Sequence, residues 1–161
     1  MKIAVIADSH TRGTTRTLPA GAWPYIETVD HILHAGDVCD ATLLDELSSF
    51  APVTAVIGNS DGMDVRAWGA STEATLELDG IVVSMVHDSG PARGRHVRMA
   101  KRFPDARVVV FGHSHLPLNE ERDGLLLFNP GSPTWKRRAA FHSMGLLWIQ
   151  DRQVEGEIFP V

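Results

Sequence analysis

The chain has a single cysteine, Cys39, among 161 residues. No internal disulfide can form, and one lone thiol fits a reducing compartment. No stretch approaches the roughly 20 apolar residues that span a bilayer. The opening Lys2-Ile3-Ala4-Val5-Ile6-Ala7 is too short for the apolar core of a signal peptide and runs directly into Asp8. The expectation is a cytoplasmic protein with no membrane partner. Excess positive charge is also missing. The formal charge is -5 and the pI about 5.9, which argues against a dedicated nucleic-acid surface. Internal repeats, linkers, low-complexity tracts, a cap domain and a base-stacking cluster of aromatics are all absent from the pattern. What remains is 43% hydrophobic and 22% charged, the balance of a globular protein. Its length suits a single domain over 1–161 with a core of its own.

Short apolar runs organise the first half. Ile3 to Ala7, His31 to Ala35 and Pro52 to Ile57 read as strands. Ser9 to Gly21 is a polar loop carrying Arg12 and Arg16, and Ala22 to Thr28 suggests a short helix. Asp40 suits the N-cap of a helix whose apolar face is Leu43, Leu44 and Leu47. Such alternation predicts βαβ units. The rhythm then changes. Thr72 to Leu78 alternates, Asp79-Gly80 signals a hairpin turn, and Ile81 to Val86 returns. A helix over Arg93 to Phe103 stops at Pro104, and Arg107 to Phe111 is another buried strand. Leu125 to Phe128, Met144 to Ile149 and Val154 to Phe159 complete the strands. The pattern predicts an α/β chain folded as an α+β sandwich. Two sheets are flanked by helices, one half rich in parallel strands and the other in antiparallel ones.

Chemistry gathers where these runs end. Asp8, Asp37, Asn59, His87 and His113 each fall at or just past the carboxyl end of an expected strand, the place where loops of open α/β sheets converge on a site. Carboxylate, imidazole and amide oxygen form a ligand set for divalent first-row metals. Asp8, His10, Asp37, Asn59, His87, His113 and His115 are seven candidates, too many for one tetrahedral ion. They suit two ions sharing a bridging carboxylate, with Asp37 on a central strand end as the natural bridge. Asp8 and His10, two residues apart, would face one way in extended chain. His113-Ser114-His115 after Gly112 is the most specific piece. His31 and His34 are expected to be packed or hydrogen-bonded, and His96 to lie on a solvated helix. His142 has no assigned partner, and Cys39 reads as a small buried residue.

The ordered set Asp8-Ser9-His10, Gly36-Asp37, Gly58-Asn59-Ser60-Asp61, His87 and Gly112-His113-Ser114-His115 resembles the calcineurin-like metallophosphoesterase superfamily. Together with Asn129-Pro130-Gly131-Ser132, it resembles that superfamily's small, YfcE-like phosphodiesterase branch from Lys2 to about Pro133. The resemblance implies two stacked mixed β-sheets flanked by helices in four layers. It implies Asp8, His10, Asp37 and His115 around one ion and Asp37, Asn59, His87 and His113 around the second. Mn²⁺ suits this set first, with Fe, Ni, Co or Zn as alternatives. Many superfamily phosphatases carry histidine where this chain has Ser60, which is a poor general acid near neutral pH. Asp88 stands where glycine is common and offers a partner for a ligand imidazole.

The expected activity is in-line hydrolysis of a small phosphodiester or phosphomonoester by hydroxide bridging two metal ions. Asp37, Asn59 and His113 are the candidate catalytic residues, and Arg12, Ser60 and Ser132 the candidate substrate contacts. Lys136-Arg137-Arg138 reads as a solvated charge run. Exposed sheet edges make a homodimer reasonable. The competing reading is a catalytically weak scaffold like the retromer subunit of this fold.

Overall fold

The computed structural model describes residues 1–13 and 17–161, so Arg16 lies outside the described residues. Among the described residues, ten strands form two five-stranded sheets. The first contains β1 (Lys2–Ile6), β2 (His31–His34), β3 (Val53–Ala55), β9 (Ser143–Gln150) and β10 (Gln153–Pro160), in the order β10-β9-β1-β2-β3. The second contains β4 (Glu73–Leu78), β5 (Ile81–Val86), β6 (Val108–Val110), β7 (Leu118–Arg122) and β8 (Leu125–Asn129), in the order β4-β5-β6-β8-β7.

Each sheet is mixed. β1, β2 and β3 run parallel while β9 and β10 are antiparallel. β5, β6 and β8 run parallel, with β4 and β7 antiparallel at the edges. The expected split into a parallel-rich and an antiparallel-rich half is therefore corrected. The last two strands return to pair beside β1, which puts antiparallel strands in both sheets.

Alternation along the strands builds the layers, since successive side chains point to opposite faces. Ile3 and Val5 join Val83, Val108, Val110 and Phe128 in a core between the sheets. Ala4 and Ile6 face the other way, onto a core with Ile26, Leu43, Leu44, Leu47 and Val65. These come from α1 (Trp23–Ile26), α2 (Thr42–Ser48) and α3 (Met63–Trp68). Val109, Leu125 and Leu127 pack with Met99 of α4 (Arg95–Arg102) on the outer face of the second sheet. The order is helices, sheet, sheet, helix. Phe128 is fully buried between the sheets, and its truncation to alanine would cost about 3–5 kcal/mol.

Local details refine the expected elements. Asp79 and Gly80 both have positive φ, the geometry a tight hairpin turn needs. Asp40 accepts the Thr42 amide at 3.0 Å, yet α2 begins at Thr42 with Ala41 as its flanking residue. Neither α3 nor β7 had a sequence forecast. α3 is six residues long and buries only Val65, and β7 exposes nearly every side chain at the sheet edge. No helix among the described residues is long and apolar enough to cross a membrane.

Candidate metal centre

The loops after β1, β2, β3, β5 and β6 bring all seven candidate ligands to one place. The loop after β1 runs beside that after β2, with the amides of Asp8 and His10 donating to the carbonyls of Gly36 and Asp37, each at 2.9 Å. Gly112 follows β6, and its amide donates to the His87 carbonyl at 2.9 Å. A Cβ on Gly112 would lie 2.8 Å from Asp8 Oδ2, and one on Gly58 would collide with the Asp37 carboxylate. Both glycines are required by close approach.

Five of the seven adopt the left-handed backbone region: Asp8, His10, Asp37, His113 and His115, with φ of 53, 43, 55, 67 and 59°. Asp8 and His10 therefore converge by strained turns rather than by the extended geometry expected of them. Such conformations each cost of order 1–3 kcal/mol and persist where surrounding contacts over-determine them.

The contacts are plentiful. Asp61 accepts the amides of Asp37 (3.0 Å), Cys39 (2.7 Å) and Gly58 (2.7 Å), tying together the loops that carry Asp37 and Asn59. Ser132 is buried, and its hydroxyl donates to the Asp8 carbonyl at 2.7 Å and accepts the Trp135 amide at 2.9 Å. That hydroxyl, a candidate substrate contact, is engaged in holding the Asp8 loop. Ser60 is exposed, and its amide and hydroxyl donate to Asp37 at 2.7 and 3.1 Å. Arg12 is exposed two residues beyond His10. Asp88 accepts the Gly90 amide of its own loop, and His87 instead finds the Ala35 carbonyl.

The donors fall into two overlapping groups. Ligand atoms of Asp8, His10 and His115 lie within 4.8 Å of one another, as do those of Asp8, Asp37 and His87. Asn59 Oδ1 sits 3.3 Å from His87 Nε2 and 2.9 Å from His113 Nδ1, adding the last two residues beside Asp37. Asp8, His10, Asp37, His87 and His115 are buried, while Asn59 is exposed and His113 half-buried, so the group opens to solvent on that side.

The chemistry of these donors asks for cations. A carbonyl only accepts hydrogen bonds, so the Nδ1 atoms of His87 and His115 donate to Ala35 (2.7 Å) and to the Trp135 carbonyl, leaving each Nε2 lone pair turned inward. Those lone pairs face other acceptors. His115 Nε2 is 3.4 Å from Asp8 Oδ1, and His87 Nε2 is 3.5 Å from Asp37 Oδ2. Asp8 Oδ2 is buried with no hydrogen-bond partner. Without a cation, protons take over part of that role, as when a protonated His87 donates to Asp37. Burial pushes the Asp8 carboxyl up to about 7, against the pull of His87. His87 is raised despite its burial, by its contacts with Asp37 and Ala35. Asp37 also pays for burial, but hydrogen bonds from His87 and Ser60 hold it well below the usual carboxylate range. Burial drives His115 down to about 4, the neutral form a metal ligand needs. The residues present fit divalent cations.

The bystander histidines are separate. His31 meets Thr54 at 3.0 Å, and His96 meets the Arg122 carbonyl at 2.8 Å. His34 is buried with Nε2 2.9 Å from Ser9 Oγ, supporting the loop between Asp8 and His10. Cys39 is half-buried with Sγ 3.4 Å from His10 Nδ1, behind a candidate ligand. Asp61 stood in the Gly58-Asn59-Ser60-Asp61 motif, but its clamp on three amides was not foreseen. A groove of about 640 Å³ lined by Arg95, His96, Leu118 and Glu120 contains none of the seven residues.

Two stacked mixed sheets that gather carboxylate, imidazole and amide donors at their strand ends define the metallophosphoesterase class. The chain belongs to the calcineurin-like phosphoesterase superfamily, whose domain matches residues 1–152. It is 32% identical to a probable metallophosphoesterase of Methanocaldococcus jannaschii over 164 residues, covering 100% of this chain and 82% of that protein. A phosphodiesterase of the same organism is 27% identical over 139 residues, covering 81% of this chain and 83% of its own length. A single-mutant Vps29 from Entamoeba histolytica shares the fold, with a TM-score of 0.79 at 22% identity over 99% of this chain and 98% of that one.

Proposed function

We propose that the protein is a divalent-metal-dependent phosphodiesterase with a dinuclear centre. Asp8, His10, Asp37 and His115 would hold one ion, and Asp37, Asn59, His87 and His113 the other, with Mn²⁺ the first candidate. The observation that carries this reading is the position of Asp37 Oδ2, which lies 3.5 Å from both His10 Nε2 and His87 Nε2. One carboxylate oxygen within reach of an imidazole from each proposed ligand set suits a bridging ligand. Ions held by these residues would supply a water of lowered pKa and offset charge on the phosphoryl oxygens.

The chain's own groups do the rest. The buried carboxylates and inward lone pairs fix the donors, and the open side at Asn59 and His113 is where a phosphoryl group would enter. Ser60 donates to Asp37, so the hydroxyl that follows Asn59 supplies no acid to the leaving group. Aryl esters should therefore turn over far better than alkyl esters. The phosphodiesterase among the relatives supports a diester as substrate.

The test is hydrolysis of bis(p-nitrophenyl) phosphate before and after chelation. Activity should vanish with the metal and return on adding Mn²⁺. Full activity in chelator-treated protein contradicts the reading, and no turnover in Mn²⁺-loaded protein favours the scaffold alternative.

A further inference from the structure

Beside the ligands lies a pair of side chains that the centre itself does not need. Trp135 is 47% exposed, so part of its ring is open to solvent beside the ligands. Its ring stands edge-on to two candidate ligands, with centroids 5.4 Å from His10 and 5.3 Å from His115. Its backbone is fixed at both ends, the amide by Ser132 Oγ at 2.9 Å and the carbonyl by His115 Nδ1. Arg137 lays its guanidinium over the indole, 4.9 Å from the centroid, and donates to the His113 carbonyl at 3.2 Å. The seven ligands include only two carboxylates, so two divalent ions already leave the centre positive. A guanidinium beside such a centre is suited to an anionic ligand.

The geometry points to Trp135 and Arg137 as the specificity-determining rim of the site, taking a phosphodiester that carries a planar heteroaromatic ring, such as a nucleobase, in preference to an alkyl phosphodiester. Trp135 offers the stacking surface and Arg137 the charge-assisted contact to the phosphate. The inference rests on the phosphodiesterase reading. It also turns the Lys136-Arg137-Arg138 run, expected to be a solvated face, into a functional segment at its middle residue.

The test compares two esters with one leaving group, thymidine 5′-(p-nitrophenyl phosphate) and methyl p-nitrophenyl phosphate, on Mn²⁺-loaded native protein, Trp135→Leu, Trp135→Phe and Arg137→Gln. Native protein should favour the thymidine ester through a lower KM. Trp135→Leu should lose about 10- to 100-fold of that preference, almost all in KM. Trp135→Phe should recover most of it, and Arg137→Gln should raise KM for both esters. An unchanged preference in Trp135→Leu overturns the proposal. So does an equal loss for both esters accompanied by loss of metal, which would make the ring a shield for His115. Calorimetric binding of thymidine 5′-phosphate against inorganic phosphate needs no turnover and separates this inference from the reading beneath it. If native protein hydrolyses neither ester, the phosphodiesterase reading fails. Equal affinity for the two phosphates would then sink the rim as well, whereas tighter thymidine 5′-phosphate binding that Trp135→Leu abolishes would sustain it.

Discussion

The loops of the first sheet bring Asp8, His10, Asp37 and Asn59 to the centre, while those of the second bring only the imidazoles of His87, His113 and His115. The first set supplies both carboxylates, and the second supplies no charge in its neutral form. They are also held differently. The first-sheet loops are clamped to backbone groups by Asp61, Ser132 and Thr134, the last donating to the Ser9 carbonyl at 2.5 Å. The second-sheet imidazoles are aimed by acceptors that lie elsewhere: the Ala35 carbonyl for His87, Asn59 Oδ1 for His113 and the Trp135 carbonyl for His115. The oxygen-rich half thus has its own scaffold, and the imidazole half takes its orientation from outside its own loops. Acceptors meet across the seam, where a cation would turn that repulsion into attraction.

Substitutions that strike the seam should therefore do most. Asp37→Asn removes the shared charge, and kcat should fall by about 10³-fold, with at least one ion lost by metal analysis. His113→Ala removes one imidazole from the half-open side. Activity should fall by about 10²-fold, with one ion retained and an unchanged circular dichroism spectrum. Equal loss of both ions in the two variants would erase the distinction between the halves. Asp61→Ala leaves all seven donors in place but frees three amides of the first-sheet loops. Affinity for Mn²⁺ should weaken about 10- to 100-fold, the usual cost of losing a group that orients ligands. An unaffected affinity would mean that the strained loops hold themselves.

Protonation sharpens the same contrast. In chelator-treated protein burial raises Asp8 from its ordinary 3.8 to about 7. Across that window the folded chain keeps a proton that the unfolded chain has released. The stability contributed by the protonated form is complete below 3.8 and is lost as pH rises through 7. The melting temperature of chelator-treated protein should carry a component that falls with rising pH, absent from Asp8→Asn. Mn²⁺ must displace the proton, so binding at about pH 6 should release one that binding at about pH 8 does not. Buffers of different ionisation enthalpy would count it. At the small end, His96→Ala alters a histidine that meets the Arg122 carbonyl away from the seven candidate ligands, and turnover should stay within about twofold.

Much of this architecture was legible because strand ends carry the chemistry. Val108-Val109-Val110 followed by Gly112-His113 announces a buried strand and a tight turn into a ligand, and the structure brings those residues to the expected point. The left-handed backbone of Asp8 and His10 was not legible. Spacing alone suggested extended chain, and only the crowded loops force the turn. β7 was missed because its residues after Leu118 are exposed, which leaves no alternation to read. The Asp123-Gly124 turn that joins it to β8, with φ of 50 and 81°, was the available signal. α3 is too short for helical periodicity. Trp135 drew no reading and Arg137 read as part of a charge run, because sequence does not reveal that the Asn129 to Thr134 loop folds back against Asp8. The return of β9 and β10 to the first sheet escaped for a similar reason: patterning identifies strands, but pairing is decided by packing across the chain.

The most direct measurement is a titration of chelator-treated protein with Mn²⁺, following binding heat and bis(p-nitrophenyl) phosphate hydrolysis on the same samples. The account predicts two ions per chain, with hydrolysis appearing as the second site fills. Full activity with one ion per chain, or with none, would contradict a centre built around the shared carboxylate of Asp37.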